Sequence, residues 1–306
     1  MDHFLDKSYG RFGFSADETP ALKIAPGTGE TIGFETSDEV YAQLHEFRDM
    51  DKLTVGINPV TGPVYVEGAQ PGDALAVTIH DVRLKDRGWS VSLPGSGALQ
   101  HMMGADMFTR RIPIDEAGIH VTDRHTFAPQ PMIGCIGTAP AAGSNSTIMP
   151  STPQGGNMDL IQCRPGSTVY LPVMVEGAYL SIGDIHAIMA EGESSFVAIE
   201  AEGTAVVSVD VVKGMTLRAP RVETADEWIF VGLGEPVQES ITRGYEDMFD
   251  FLVTGNGWDR GDAYAVMSAV GHSQLGGPTG SAEPDPLHPF NAVGAVTVHR
   301  LPKAVL

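Results

Sequence analysis

The sequence predicts a mostly-β fold, antiparallel and sandwich-like, closed by a helical pair near the C-terminus and therefore α+β overall. Three observations carry that expectation. Short runs alternate apolar and polar residues, 36 glycines and 21 prolines punctuate them, and the spacing turns helical late in the chain. Alternation puts every second side chain on one side of an extended strand, whereas apolar residues three and four apart line one side of a helix.

In chain order the strand signals are "TIGFET", "PVYVEG", "ALAVTIHDVRL", "STVYLPVMVEGAYLSIG", "SFVAIEAEGTAVVSVDVV" and "GAVTVHRL". Within "ALAVTIHDV", Leu75, Val77 and Ile79 share a face opposite Ala74, Ala76 and Thr78. Val197, Ile199 and Ala201 form a similar stripe, which sends Glu200 to the other side. This is the pattern of antiparallel sheets with one wet face. In "ESITRGYEDMFDFLV", Ile241, Tyr245, Met248, Phe249 and Leu252 recur at helical spacing as one apolar face. A second helix is expected through "DRGDAYAVMSAV", with Asp259 as N-cap and Asp262 three residues on, burying Ala263, Val266, Met267 and Val270. "GGPTGSAEPDPLHP" then reads as an exposed loop before the last strand. The chain reads as a single unit over 1–306, divisible into a β-rich part, 1–220, and a helix-containing part, 221–306.

The 42% hydrophobic and 19% charged content is that of a folded protein. With 19 Lys+Arg against 39 Asp+Glu, the formal charge of −20 argues against nucleic-acid and anionic-membrane partners and suits a neutral or cationic small ligand. No apolar run approaches the roughly 20 residues that span a bilayer, and "MDHFLDKSYG" lacks the basic tip and apolar core of a signal peptide. Two cysteines cannot build a disulfide framework, so a cytoplasmic location is expected.

The richest chemistry lies in "SIGDIHAIMAEGES", 181–194. Asp184 and His186, two apart in extended chain, aim at one point; Glu191 and Glu193 repeat the spacing beyond a bend. A histidine with two or three carboxylates suits a divalent cation, or without one a general base and acid; a solvated turn is the bland alternative. In "STPQGGNMDL", Gly155 and Gly156 allow close backbone approach to a ligand, Asp159 offers a further ligand or base, and Asn157 a donor to a carbonyl oxygen; an ordinary Gly-Asn turn competes. Asn58 is a candidate donor to substrate, and Asp73 a turn residue. In "PGSGALQHMMGADMF", Met102 and Met103 are expected in the core. Cys135, between apolar residues, reads as inert and Cys163 as a weak nucleophile candidate. No Gly-x-Ser-x-Gly elbow, dinucleotide fingerprint or P-loop is present.

Taken together, "NPVTGPVYVEGAQPGDALAV", "GCIGTAPA", "TPQGGNMDL", "GSTVYLPVMVEGAYLSIGDIHAIMAEGE", "YAVMSAVGHSQLG" and "LPKAVL" resemble the acetamidase/formamidase family over nearly the whole chain. The resemblance implies a mostly-β homo-oligomer, a homodimer or larger. It also implies hydrolysis of a small amide, formamide-like or acetamide-like, to ammonia and the acid, and a divalent cation, zinc or calcium. Metal ligands are then expected among His186, Asp184, Asp159 and Glu193, with Glu193 carrying a proton to the leaving ammonia and Asn157 stabilising the oxyanion. A metal-free amidase using a cysteine or an acid triad, and a non-catalytic binding member, are the alternatives. Asp184, His186 and Glu193 match the family's pattern, but Ile185, Met189, Ala190 and Glu191 depart from it. Phe12 and Ser15 stand where the family carries His and Asp, and His272 where aspartate is common. The loss of that polar pair, with Phe12 and Met189 counted among substrate-contacting residues, points to a bulkier or less polar substrate.

Overall fold

A computed structural model describes residues 1–94, 96–104, 106–148, 152–234, 237–277 and 295–306. Most of the read loop, 278–289, lies outside the described residues.

The alternating segments form strands where expected. Val60–Val66, Ala74–Ser92, Thr168–Pro172, Leu180–Ile188, Ile199–Val212 and Ala295–Pro302 belong to one connected sheet of 18 strands, with a separate two-stranded ribbon of Gly13–Ser15 and Ser144–Ser146. Ile199–Val212 is the hub. It pairs antiparallel with Leu180–Ile188, with Ile32–Glu35 and, over most of its length, with Ala74–Ser92. Pairing through such distant partners makes the sheet coil over a single large core in which Phe34, Leu75, Ile79, Ile133, Ile136 and Ile182 are fully buried.

The expected wet face is the first correction. Ala74 and Ala76, opposite the Leu75–Val77–Ile79 stripe, are also buried, as is every residue of Met132–Gly137. Small side chains on the second face let another layer pack there instead of water. Glu200 is likewise buried rather than solvated. Conversely Met102 and Met103, expected in the core, are 71% and 53% exposed on the short helix Gln100–Met103.

The late helices form at Val237–Asp250, which runs on as a π-turn through Phe251–Gly255, and at Arg260–Val270. Asp259 caps the second as expected, accepting from the amides of Gly261 and Asp262, and Ala263 and Met267 are buried. On the first helix the buried stripe is Ser240, Gly244, Met248 and Leu252, with Asp247 beside it, and Ile241 lies to one side. Gly244 sits there because a Cβ would lie 2.1 Å from the His299 ring beneath. Asp247 is buried because it pairs in two-pronged fashion with Arg221, at 2.7 and 2.8 Å.

A helix the alternation pattern does not signal, Glu39–Phe47, lies against the long strand. Buried Asp38 moors it, accepting from Arg87 at 2.9 and 3.2 Å and from the Trp89 indole at 2.7 Å. Burial alone would raise the Asp38 carboxyl, but these donors hold it below the usual range. Asp38→Ala strands a buried indole N–H and is expected to cost about 1.5–3 kcal/mol in denaturant unfolding; a change within a few tenths would show that the helix is moored elsewhere.

Candidate functional site

Leu180–Ile188 has Met132–Gly137 on one edge, and on the other it passes from one partner to the next. It pairs with Val60–Val66 as far as Gly183 opposite Val60, then with Ile199–Val212 from His186 opposite Glu200. Asp184 falls at the change of partner, and its backbone is left-handed, φ 58°. Asn58 (φ 54°), Asp159 (φ 47°) and Glu193 (φ 37°) share that region. Non-glycine residues adopt it at a cost of order 1–3 kcal/mol and gather where function over-determines the backbone. The strain here falls on the polar residues that converge.

That convergence is close. His186 Nε2 lies 3.4 Å from Asp184 Oδ1, 3.5 Å from Glu200 Oε1 and 3.7 Å from Asp159 Oδ1. Asp159, His186 and Glu193 offer ligand atoms within 4.8 Å of one another, as do Asp184, His186 and Glu200. His186 is 1% and Asp159 2% exposed. Two glycines make the space. A Cβ on Gly134 would lie 2.5 Å from Asp159 Oδ1 and 2.7 Å from Asp184 Oδ2, and one on Gly277 would lie 2.5 Å from the Asp159 Cβ. The amides of Met158 and Asp159 both donate to the Gly134 carbonyl, fixing the acid's loop to the strand.

Four carboxylates around one imidazole are out of electrostatic balance. Burial would lower the His186 pKa, but Glu200, Asp184 and Asp159 outweigh it and hold the ring protonated well above its usual range. Asp184 stays ionised: burial opposes this, but the His186 charge and hydrogen bonds from its neighbours prevail. Burial and then the Asp184 charge push Asp159 up to about 7. Burial raises Glu193 and Glu200 as well, with neighbouring acids adding to it. Among the described residues Asp159 Oδ1 and His186 Nδ1 have no hydrogen-bond partner, a costly condition for buried groups of this kind. Imidazole nitrogen with carboxylate oxygens is a donor set that fits a divalent transition-type ion.

Around this cluster the other expected residues fall into separate places. The Asn58 amide donates to the Thr147 carbonyl at 2.7 Å and to Asp184 Oδ2 at 3.3 Å. Asn157 borders the site, opposite Cys135 in register; its amide donates to the Ile148 carbonyl at 3.2 Å and its Oδ1 has no partner. Gly155 and Gly156 pair with Gly137 and Ile136, and the close approach of Gly155 is to the Ile136 carbonyl. Glu191 leaves the cluster to accept from Gln162. Phe12 is 54% exposed with its ring against Gly56, while Ser15 donates to the Gly143 carbonyl. His272 is exposed on a strand beside Arg300. Met189 stands on the wall of a cavity of about 480 Å³ that Glu193 also lines.

Two participants escape a sequence reading. Glu200 is assigned to a wet face by alternation, yet that face meets His186. Tyr41, from the helix moored by Asp38, is close enough to feel the acids: burial, then the charges of Glu200, Asp184 and Glu193, keep the phenol protonated. Cys135 is fully buried beside the acids, its thiol donating to the Thr147 carbonyl at 3.8 Å; burial and the charges of Asp184 and Asp159 raise its pKa well above the usual value. Burial pushes Cys163 up to about 12. Neither thiol is poised as a nucleophile.

The geometry can be set beside known proteins. The chain is 27% identical over 245 residues to the formamidase of Methylophilus methylotrophus, a match covering 61% of this chain and 57% of that one. It spans about three fifths of the length of the curated relatives it matches. Its fold superposes on a crystal structure from Thermoanaerobacter tengcongensis described as a predicted acetamidase/formamidase, with TM-score 0.87 and 28% identity over 100% of this chain and 97% of that one. The acetamidase of Bacillus halodurans gives 0.85 and 27%, over 99% and 98%. With the family model matching residues 14–145 and 140–271, the chain belongs to the acetamidase/formamidase family.

Proposed function

We propose that this protein is a metal-assisted amidase that hydrolyses the carbon–nitrogen bond of a linear amide to ammonia and a carboxylate. The observation that carries the reading is the buried ring of His186, Asp159, Asp184, Glu193 and Glu200, in which Asp159 Oδ1 has no hydrogen-bond donor among the described residues. The names of the relatives support the reaction class. A divalent ion would be held by His186 with Asp159 and Glu193, or with Asp184 and Glu200, and the imidazole favours zinc over calcium. Such an ion, when bound, polarises an amide carbonyl and lowers the pKa of water towards about 7.

The chain's own groups supply the rest. With the ion held by His186, Asp184 and Glu200, Glu193 is left free on the cavity wall to take a proton from the attacking water and give it to the leaving nitrogen. Asp184, ionised and 3.4 Å from His186, fixes the imidazole. One Asn157 N–H is bonded to Ile148, which leaves the second for the developing oxyanion.

Elemental analysis of the purified protein is expected to find a stoichiometric divalent metal that His186→Ala loses; equal metal in both, or ammonia release surviving exhaustive chelation, removes the ion from the reaction. Glu193→Gln is expected to lower kcat about 10²–10⁴-fold with circular dichroism unchanged, and a loss smaller than this would assign proton transfer to another group. Without metal, stability should fall as pH rises. Folded Asp159 keeps its proton to about 7 against an ordinary 3.8, so the unfolded chain ionises first and each step up in that window favours unfolding. Glu193 and Glu200 act in the same direction. His186, raised in the fold, stabilises fully below its ordinary pKa, and this is lost as pH climbs through the folded value. Asp184, lowered, opposes them by stabilising above its ordinary value. The melting temperature of chelator-treated protein is therefore expected to drop between about pH 4 and about pH 7, and Asp159→Asn to flatten the drop; a rising profile would contradict this balance.

A further inference from the structure

The cavity on whose wall Glu193 stands, the one member of the acid ring that lines it, has a size and lining that formamide and acetamide do not explain. Its volume of about 480 Å³ falls in the range of pockets that take up small ligands. The walls come from two sources. Ile188, Met189, Val197 and Ile199 belong to the strands and turn that carry His186, Glu193 and Glu200. Val121 and Phe127 come from the three-stranded arm Phe108–Asp115, Gly118–Thr122 and His125–Phe127, with half-exposed Phe127 on its last strand. Glu193 is the sole ionisable residue of the lining; the polar remainder is Ser90, Gln130, Ser194 and Ser195. Among the described residues that line it none is basic, and its apolar residues would strip an ammonium of part of its water.

We infer that the substrate is a primary amide with an uncharged, apolar acyl chain several carbons long, its carboxamide at Glu193 and its chain between Met189, Ile188, Val197 and Phe127. This rests on the amidase reading and adds the substrate class. Each methylene buried against such walls is worth several-fold in binding, so hexanamide should exceed acetamide at least tenfold in kcat/KM. 6-Aminohexanamide, of similar length but charged at the tail, should fall at least tenfold below hexanamide.

The test is ammonia release by the metal-replete protein on formamide, acetamide, butanamide, hexanamide and 6-aminohexanamide. A rise along the uncharged series supports the inference. Formamide or acetamide as the best substrate overturns it and leaves the amidase reading standing, as does equal turnover of the charged and uncharged six-carbon amides. Met189→Trp, which fills the cavity, should lower the hexanamide-to-acetamide ratio at least tenfold, and Val197→Phe should do the same from another wall; an unchanged ratio in whichever variant folds also overturns it. Calorimetric binding to Glu193→Gln separates the two ideas. If no amide is turned over by the wild type, the amidase reading fails, and the cavity assignment then stands only if hexanamide binds this variant at least tenfold more tightly than acetamide.

Discussion

The structure depends on one costly arrangement, four carboxyl groups and an imidazole withdrawn from water into a space a few ångströms across. Moving one ion from water into a protein interior costs several kcal/mol even after relaxation. Like-charged neighbours cannot all remain ionised at such separations. The fold answers with protons: the imidazole is charged, Asp184 is its counter-ion, and the remaining acids are driven towards their neutral forms. A divalent cation would replace those protons and turn repulsion among the acids into attraction to a common centre. The same ring would thus exchange protons for metal without moving the backbone.

Holding the ring in place needs a frame that resists both repulsion and strain. Left-handed backbone at Asn58, Asp159, Asp184 and Glu193 bends each side chain out of the regular course of its segment. Each bend is embedded in neighbours that do not yield. Asp184 lies between Gly183 and His186, each paired on both edges, Asp159 is fastened to the Gly134 carbonyl, and Glu193 sits in a turn closed by its own amide to Ala190 and its carbonyl to Phe196. Gly134 and Gly277 leave the volume that the carboxylates occupy. The apolar core shared by the same strands supplies the energy that makes such strain tolerable.

Much of this was legible in the sequence, and the remainder was hidden for identifiable reasons. Capping chemistry located the Arg260–Val270 helix because it depends only on local geometry, whereas Asp184 and His186, expected together from two-residue spacing, meet across a left-handed residue that regular alternation does not describe. Asp159 reaches His186 through strand pairing across Met132–Gly137, which no local pattern reports. Glu200 was assigned to water because alternation distinguishes two faces but not what covers the second one. Here the second face meets a histidine. Tyr41 comes from a helix far away in sequence, and its position rests on Asp38 finding Arg87 and Trp89. Met102 and Met103 were misread in the opposite sense, since a hydrophobic side chain on a four-residue helix has no face wide enough to bury it.

Phe12 and Ser15 show that a departure from a family motif can lie away from the converged acids. Replacement of a polar pair suggested a less polar ligand, yet Phe12 lies half in solvent against Gly56, and Ser15 is occupied in a two-stranded ribbon. The apolar surface next to the acids is built instead by Met189 and its neighbours, within the same stretch that carries His186 and Glu193. One strand and the turn after it therefore supply both the charged ring and the oily wall. They can do so because extended backbone sends successive side chains to opposite sides, and the left-handed turn at Glu193 then lets one carboxylate face both environments. On the proposed reading a proton carrier has reason to stand there, since a bound cation on one side and the exclusion of water on the other would both shift its affinity for a proton.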